Sequence, residues 1–358
     1  MKISIIVPVY NTKHEYLREC LNSLMHQLNF SDYEVIAVND GSTNGCEKVI
    51  NEFVSDYSGP VKKGDTAELV YINQENGGTS VARNTGLSAA RGEYVMFVDA
   101  DDFISHDCLV TVYDAVKRKG SDILFFGYAT SYTNREMRRV LDEPHPGIWE
   151  RDKLELAVLK GNPELGPVEV GAPWGKIIKR DIIGGNDLKY TKGLIKGQDT
   201  VFMLSVFEHA DTFSYIPYLG YHYRISGVSV SRRYNPGIVD IMEKTLNAYE
   251  GFVQKYEKPE EFAEAVRLKY YKVMLGEYLE LLFLHKENKT PEKAKENEFL
   301  AITCREPYRS VLRDIDPGNM GSYQRILFGL IKNRNIRLLF LVKRAEMFLR
   351  NLVVRKYN

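Results

Sequence analysis

The run at residues 94–103, YVMFVDADDF, constrains the fold of this chain more than any other segment. Five apolar residues without a polar break read as a strand covered on both faces, and three carboxylates follow within four residues. Asp99 and Asp101 leave that strand one residue apart, so both can reach one hard divalent cation. Without a cation or donors between them, such charges raise each other's pKa. A lone DxD is also an ordinary acidic turn, so the weight lies in whether the pattern recurs.

It does recur. Residues 3–9 and 34–38 are apolar runs ending in Pro8-Val9-Tyr10-Asn11 and Asn39-Asp40-Gly41-Ser42, and a third run, 69–72, precedes Asn76-Gly77-Gly78. Helical spacing predicts helices over 15–27, 45–55, 79–90 and 106–119, with Leu17, Cys20, Leu21, Leu24 and Leu28 on one stripe of the first. A further strand is expected over 122–128. Alternation of this kind predicts an α/β fold: a nucleotide-binding, mostly parallel sheet with helices on both faces. Ligands of open sheets sit beyond the carboxyl ends of the strands, where every one of these polar clusters falls.

After residue 130 the pattern loosens. Pro144, Pro146, Pro163, Pro167 and Pro173 predict long irregular connections around one clear helix, 151–160, before a helix at 198–209 and a strand at 213–223. From residue 238 the sequence is helical, with Ile238, Ile241, Met242, Tyr249, Phe252, Val253 and Tyr256 on one face and a second apolar helix over 270–285. The expected division is an α/β domain at 1–235 and a helical C-terminal region at 236–358.

The chain carries 48 basic and 48 acidic residues, so no global charge points to nucleic acid. The neutrality conceals an asymmetry. Residues 321–358 hold nine Lys or Arg against one acid, a charge of +8, leaving 39 basic against 47 acidic residues, −8, in the first 320. Cys20, Cys46, Cys108 and Cys304 have no CxxC spacing and read as reduced thiols. The first residues lack the pattern of a signal peptide and no apolar run reaches transmembrane length, so a cytoplasmic protein is expected.

The strand-end clusters suit a nucleotide. Asp40 can accept from a base N–H, the backbone around Pro8, Val9, Tyr10, Asn76, Gly77 and Ala100 can frame the ligand, Arg83 can pair a phosphate, and Asp101 can hold a cation between two phosphates. Neither GxGxxG after the first strand nor GxxxxGK[ST] occurs, which turns the reading away from dinucleotide and P-loop folds.

In order and spacing, SIIVPVYN, NDGSTNG, ENGGTSVARNTGL, YVMFVDADD, PWGKIIKRD, GQDTVFML and YHYRISGVSVS resemble the A-type glycosyltransferases of the large family-2 group, over residues 2–232. The resemblance implies inverting transfer of a sugar from a nucleotide diphosphate donor, a UDP-sugar, to a glycan or lipid-linked acceptor in surface polysaccharide synthesis. By position it implies that Asp40 and the Val9 backbone contact uracil, that Arg83 faces the nucleotide, and that Asp99 lies near ribose and metal. It likewise makes Asp101 a ligand of Mn²⁺ or Mg²⁺ and Asp199 the base that takes the acceptor's proton. The family often has Glu where this chain has Gln198, and commonly Asp where it has Asn39; the second change is expected to cost a hydrogen bond, not the activity.

Plainer readings stand beside these. Asp199 also suits a helix start, Arg83 a helix surface, and Trp174 either an acceptor-stacking ring or a core residue. His222 is read as a satisfied core residue, with a third metal ligand or an acceptor contact as the alternatives. Lys176, Arg224, Ser229 and Arg232 are candidates for ordering a loop over the diphosphate. In the tail, Leu338, Leu341, Val342, Ala345, Phe348, Leu349 and Leu352 form a helical stripe over 336–357, with Lys343, Arg344, Arg350, Arg355 and Lys356 off it. Such a helix suits peripheral contact with an anionic membrane, or packing on the body or on a second copy. Rival functions are a nucleotidyltransferase, which would release pyrophosphate, and a silent nucleotide-sugar-binding module.

Overall fold

A computed structural model describes residues 1–57, 67–132, 135–142, 147–225 and 233–357, with side chains to residue 350 at the C-terminal end. Pro144, Pro146, Ser229 and Arg232 lie outside these residues, as do the side chains of Leu352, Arg355 and Lys356. The chain packs as two units, residues 1–227 and 228–358.

The first unit opens with β1 (Ile3–Val9), α1 (His14–Met25), β2 (Tyr33–Asp40), α2 (Cys46–Tyr57), β3 (Ala67–Gln74), α3 (Thr79–Ala89) and β4 (Tyr94–Phe97). It continues with β5 (Phe103–Ile104), α4 (Cys108–Lys119), β6 (Ile123–Tyr132), β7 (Arg135–Arg139), α5 (Arg151–Lys160), β8 (Lys176–Lys179), α6 (Arg180–Gly185), α7 (Gln198–Glu208) and β9 (Phe213–Arg224). The strands form one sheet in the order β3-β2-β1-β4-β8-β6-β9-β5, with β7 on β6. The half made of β3, β2, β1 and β4 is parallel, in keeping with the mostly apolar, buried β1, β2 and β4, while β3 is a half-buried edge strand. Its register aligns Val9 with Asn39 and Asp40 with Gln74, so the polar ends of these strands share one edge.

The other half is mixed. β8 runs antiparallel between β4 and β6, and β9 is parallel to β6 but antiparallel to β5. β8 falls where long irregular connections were expected: its four residues, KIIK, are too few to register as a periodic run between a proline loop and α6. Leu28, expected on the first helix's apolar stripe, lies past the end of α1 and is exposed. Close packing seats α3 on β1, since a Cβ at Gly86 would stand 2.5 Å from Cγ2 of Ile6. No larger residue lets α3 approach that strand as closely.

The second unit comprises α8 (Ile238–Lys255), α9 (Glu260–Val273), a π-helix (Met274–Phe283), α10 (Glu292–Cys304), α11 (Tyr308–Asp314), α12 (Ser322–Lys332) and α13 (Ile336–Tyr357). The second apolar helix expected over 270–285 is thus the end of α9 continued in π geometry. In α13 the buried face is Ile336, Leu339, Phe340 and Lys343, whereas Leu338, Leu341, Phe348 and Leu349 of the expected stripe are exposed. The basic residues off that stripe are not free in solvent: Lys343 pairs with Glu346 at 2.8 Å, Arg350 with Glu280 at 2.5 Å, and Arg344 with Glu292. Among the described residues no helix is long and apolar enough to cross a membrane.

Candidate active site

The shared edge of β1 to β4 is tied together by short polar side chains. Asn11, at φ +48°, accepts from the N–H groups of Thr43 and Asn44 at 2.8 and 3.2 Å, joining the end of β1 to that of β2. Asn39 donates to Oδ1 of Asn73 at 2.8 Å and accepts from the Ser42 N–H at 3.2 Å. An amide at this position therefore gains the bond to Asn73, which a carboxylate facing Oδ1 could not make. Tyr10 is exposed, and Val9 and Ala100 are buried on either side of the rim.

Asp40 is 2% exposed. Its Oδ1 accepts from Gln74 Nε2 at 2.7 Å and from the Gly77 N–H at 2.9 Å, and its Oδ2 from the Gly78 N–H at 2.8 Å. A carboxylate has about four acceptor positions, so one remains, on Oδ2. Asp40 thereby fixes the Gly77-Gly78 turn that launches α3, while Asn76 Nδ2 donates to the Asp40 carbonyl at 3.0 Å. Gly41 closes the arrangement: it has φ +68°, and a Cβ there would stand 2.8 Å from the Asn76 nitrogen.

Arg83, on α3, was expected to face a nucleotide. Its side chain is instead 3% exposed, with Nη2 on Asp99 Oδ1 at 2.8 Å and Nη1 on Asp199 Oδ1. Asp99 follows β4, and Asp199 stands in the first turn of α7, where the helix dipole favours a carboxylate. Burial pushes the Asp199 carboxyl up to about 6; Arg83 works against that rise and Asp99 adds to it. Beside it, Gln198 Oε1 is buried without a partner among the described residues.

The remaining acids divide by role. Asp102 is 1% exposed and accepts from Tyr221 Oη at 2.6 Å and the Arg224 N–H at 2.7 Å. Burial first, then Asp99 and Asp101, push its carboxyl up to about 8, and both of its oxygens are tied to β9. Asp101 is exposed. Among the described residues no group of three or more His, Cys, Asp or Glu could cage a metal. Two carboxylates with phosphate oxygens completing the shell are the usual way Mg²⁺ is held in phosphate sites, and Asp99 and Asp101 are the residues of this rim whose chemistry suits that role.

The residues suggested for the acceptor or loop stand as follows. Arg224 donates to the Asp101 carbonyl at 2.9 Å and pairs with Glu19 at 2.5 Å, so it fastens the acidic loop from outside. His222 stacks on Phe103 at 4.4 Å, with Nδ1 on Glu136 at 3.0 Å and Nε2 on Ser105 at 2.9 Å. Both ring nitrogens are occupied, which leaves neither for a metal. Trp174 is 9% exposed and stacks on Tyr221 and Tyr223 at 4.8 and 5.5 Å, a core aromatic and not an open platform. Lys176, 1% exposed, donates to the carbonyls of Glu169, Ala172 and Trp174, and burial lowers it to about 7. Its three N–H donors are spent shaping the loop before β8. Tyr190 and Tyr221, both central here, carried no sequence signal: Tyr190 sits in an aperiodic loop and Tyr221 in a strand of alternating aromatics.

A mixed sheet of this order, with carboxylates at the ends of its parallel strands, has the architecture of the A-type glycosyltransferase fold. The family described as glycosyl transferase family 2 matches residues 4–175. Putative glycosyltransferase EpsH of Bacillus subtilis (strain 168) is 31% identical over 265 residues, 73% of this chain and 71% of that protein. Glycosyltransferase GlyA of Streptococcus pneumoniae serotype 4 is 31% identical over 253 residues, 68% of this chain. That match spans only 34% of GlyA. Among solved structures, S. aureus TarS 1-349 in complex with UDP-GlcNAc shares the fold, with a TM-score of 0.62 at 21% identity over 97% of this chain and 92% of that one. The chain belongs to glycosyl transferase family 2 and is a glycosyltransferase.

Proposed function

We propose that this chain transfers a sugar, with inversion, from a UDP-sugar to a hydroxyl of a glycan or lipid-linked acceptor in surface polysaccharide synthesis. The observation that carries this reading is the Arg83 bridge, which holds Asp99, on the donor side, and Asp199, on the acceptor side, at one rim. Asp199 takes the proton of the acceptor hydroxyl while that oxygen bonds to the anomeric carbon from the face opposite the diphosphate. The anomeric C–O bond breaks, and the nucleoside diphosphate leaves with the electron pair. Asp99 and Asp101 would hold Mn²⁺ or Mg²⁺, which when bound stabilises charge on the departing diphosphate. The remaining acceptor position of Asp40 and the Val9 backbone are assigned to uracil, and the turn at Asn76 and Gly77 to the frame around it. The UDP-GlcNAc carried by TarS makes an N-acetylhexosamine the first donor to try.

The test is calorimetric titration of UDP and a panel of UDP-sugars, with Mn²⁺ and with chelator, on the wild type and on Asp101→Ala. Metal-dependent binding that the variant loses supports the donor and metal assignments together. Absence of binding by any UDP species overturns both.

We also infer peripheral contact of α13 with an anionic, cytoplasmic membrane face. Its exposed apolar residues Leu338, Leu341, Phe348 and Leu349 have the exposed Arg337 on the same helix. The surrounding segment carries nine basic residues against one acid, the charge an anionic surface attracts. Co-sedimentation with anionic against neutral vesicles checks it, equal retention on both being the contrary result.

A further inference from the structure

We propose that Arg83 is the positioning residue of this site: its guanidinium fork fixes one oxygen of Asp99 and one of Asp199, and so sets the spacing between the donor side and the acceptor side. The inference rests on the glycosyltransferase reading above and adds to it a role that differs from a nucleotide contact. Arg83 is 3% exposed, whereas each carboxylate is 30% exposed, so the cation lies inward and the acids reach outward. On each acid the bonded oxygen is Oδ1. Among the described residues, Oδ2 of neither acid has a hydrogen-bond partner, which leaves one oxygen of Asp99 for the donor side and one of Asp199 for the acceptor's proton.

The floor beneath the guanidinium is built to keep it there. The Tyr190 ring lies 5.3 Å from Cζ of Arg83. That ring stacks on Phe202 of α7 at 4.0 Å and meets Phe97 of β4 edge-on at 5.9 Å. The two elements that deliver Asp199 and Asp99 therefore pack on the same tyrosine. Its backbone is clasped by Asn84, the residue after Arg83: Asn84 Nδ2 donates to the Tyr190 carbonyl at 2.9 Å and Oδ1 accepts from the Tyr190 N–H at 2.8 Å. Among the described residues, Nε of Arg83 and the Tyr190 hydroxyl are both buried without partners. Buried polar groups seldom stay unpaired in a purely structural core. Fixing two carboxylates at a set separation needs a planar pair of donors, which Arg has and the point charge of Lys lacks.

The experiment compares Arg83→Lys, Arg83→Ala and Asp199→Asn with the wild type, measuring kcat at saturating substrates and the calorimetric Kd for UDP. Loss of the fork displaces both acids, and a misplacement of this kind costs on the order of 100-fold in rate. The expected result is that loss in kcat for Arg83→Lys, larger than any rise in the Kd for UDP that a displaced Asp99 brings, and recovery of Arg83→Ala by added guanidinium ion but not by methylammonium. Wild-type turnover by Arg83→Lys overturns the inference, as does a loss expressed wholly as weaker UDP binding. If Arg83→Lys melts below the wild type, guanidinium recovery of Arg83→Ala decides alone, and its failure counts against the proposal. Asp199→Asn separates the two levels: full activity there overturns the assignment of the base, whereas an inactive Asp199→Asn beside an active Arg83→Lys overturns only the role of Arg83.

Discussion

Asp199 is a carboxyl drawn two ways, by burial toward its neutral form and by Arg83 toward its charged form, and the balance falls at about 6. A base must be ionised to accept a proton, so kcat/KM should rise with pH through about 6 and level off above it. A pH–rate profile checks this; a rate flat from pH 5 to 8 would count against Asp199 as the base. Replacing it with Asn should lower kcat by about 10²–10⁴, the usual worth of a general base, with UDP affinity unchanged. Trp174 gives the opposite expectation at the same scale. Because its ring is stacked on Tyr221 and Tyr223, Trp174→Ala should cost about 3–5 kcal/mol of stability, seen as a lowered Tm, and not act first through acceptor KM.

Among the elements, β1, β2 and β4 were legible because strands covered on both faces are nearly all apolar: β4 is unbroken, β1 is interrupted only by Ser4, and β2 only by Glu34 before its polar end at Asn39 and Asp40. Strand β8 was not, since four residues between a loop and a short helix carry no period. The seat of α3 was also hidden: Gly86 reads as a weak point in a helix, while the structure makes it the place where the helix meets Ile6. Gly86→Val should overpack that contact, costing about 1–3 kcal/mol in denaturant unfolding. It should also reduce kcat, because α3 carries Arg83. A variant with wild-type stability would show that α3 has room to retreat.

Over the whole molecule the charge is divided, an acidic body and a basic end summing to zero. In α13 that basic end is partly neutralised by Glu280, Glu292 and Glu346, and the exposed apolar face lies opposite the buried one. Phe348→Asp with Leu349→Asp should leave the unfolding free energy within about 0.5 kcal/mol of the wild type, since both side chains are already exposed. The same variant should lose binding to anionic vesicles. If it instead disperses a dimer in light scattering while vesicle binding persists, the face serves a second copy of the chain.

The sequence by itself determined the strand-and-helix alternation, the acids at the strand ends and the family. These follow from local period and residue order, which burial and chain chemistry impose directly. Only the tertiary structure decided that Arg83 bonds to acids 16 and 116 residues away. It also decided that Asp40 braces a turn, that both ring nitrogens of His222 are taken up by Ser105 and Glu136, that Trp174 is stacked within the core, and that Lys343 is buried. Periodicity reports which side of an element is covered; the identity of a distant partner depends on how the elements cross, which no local pattern contains.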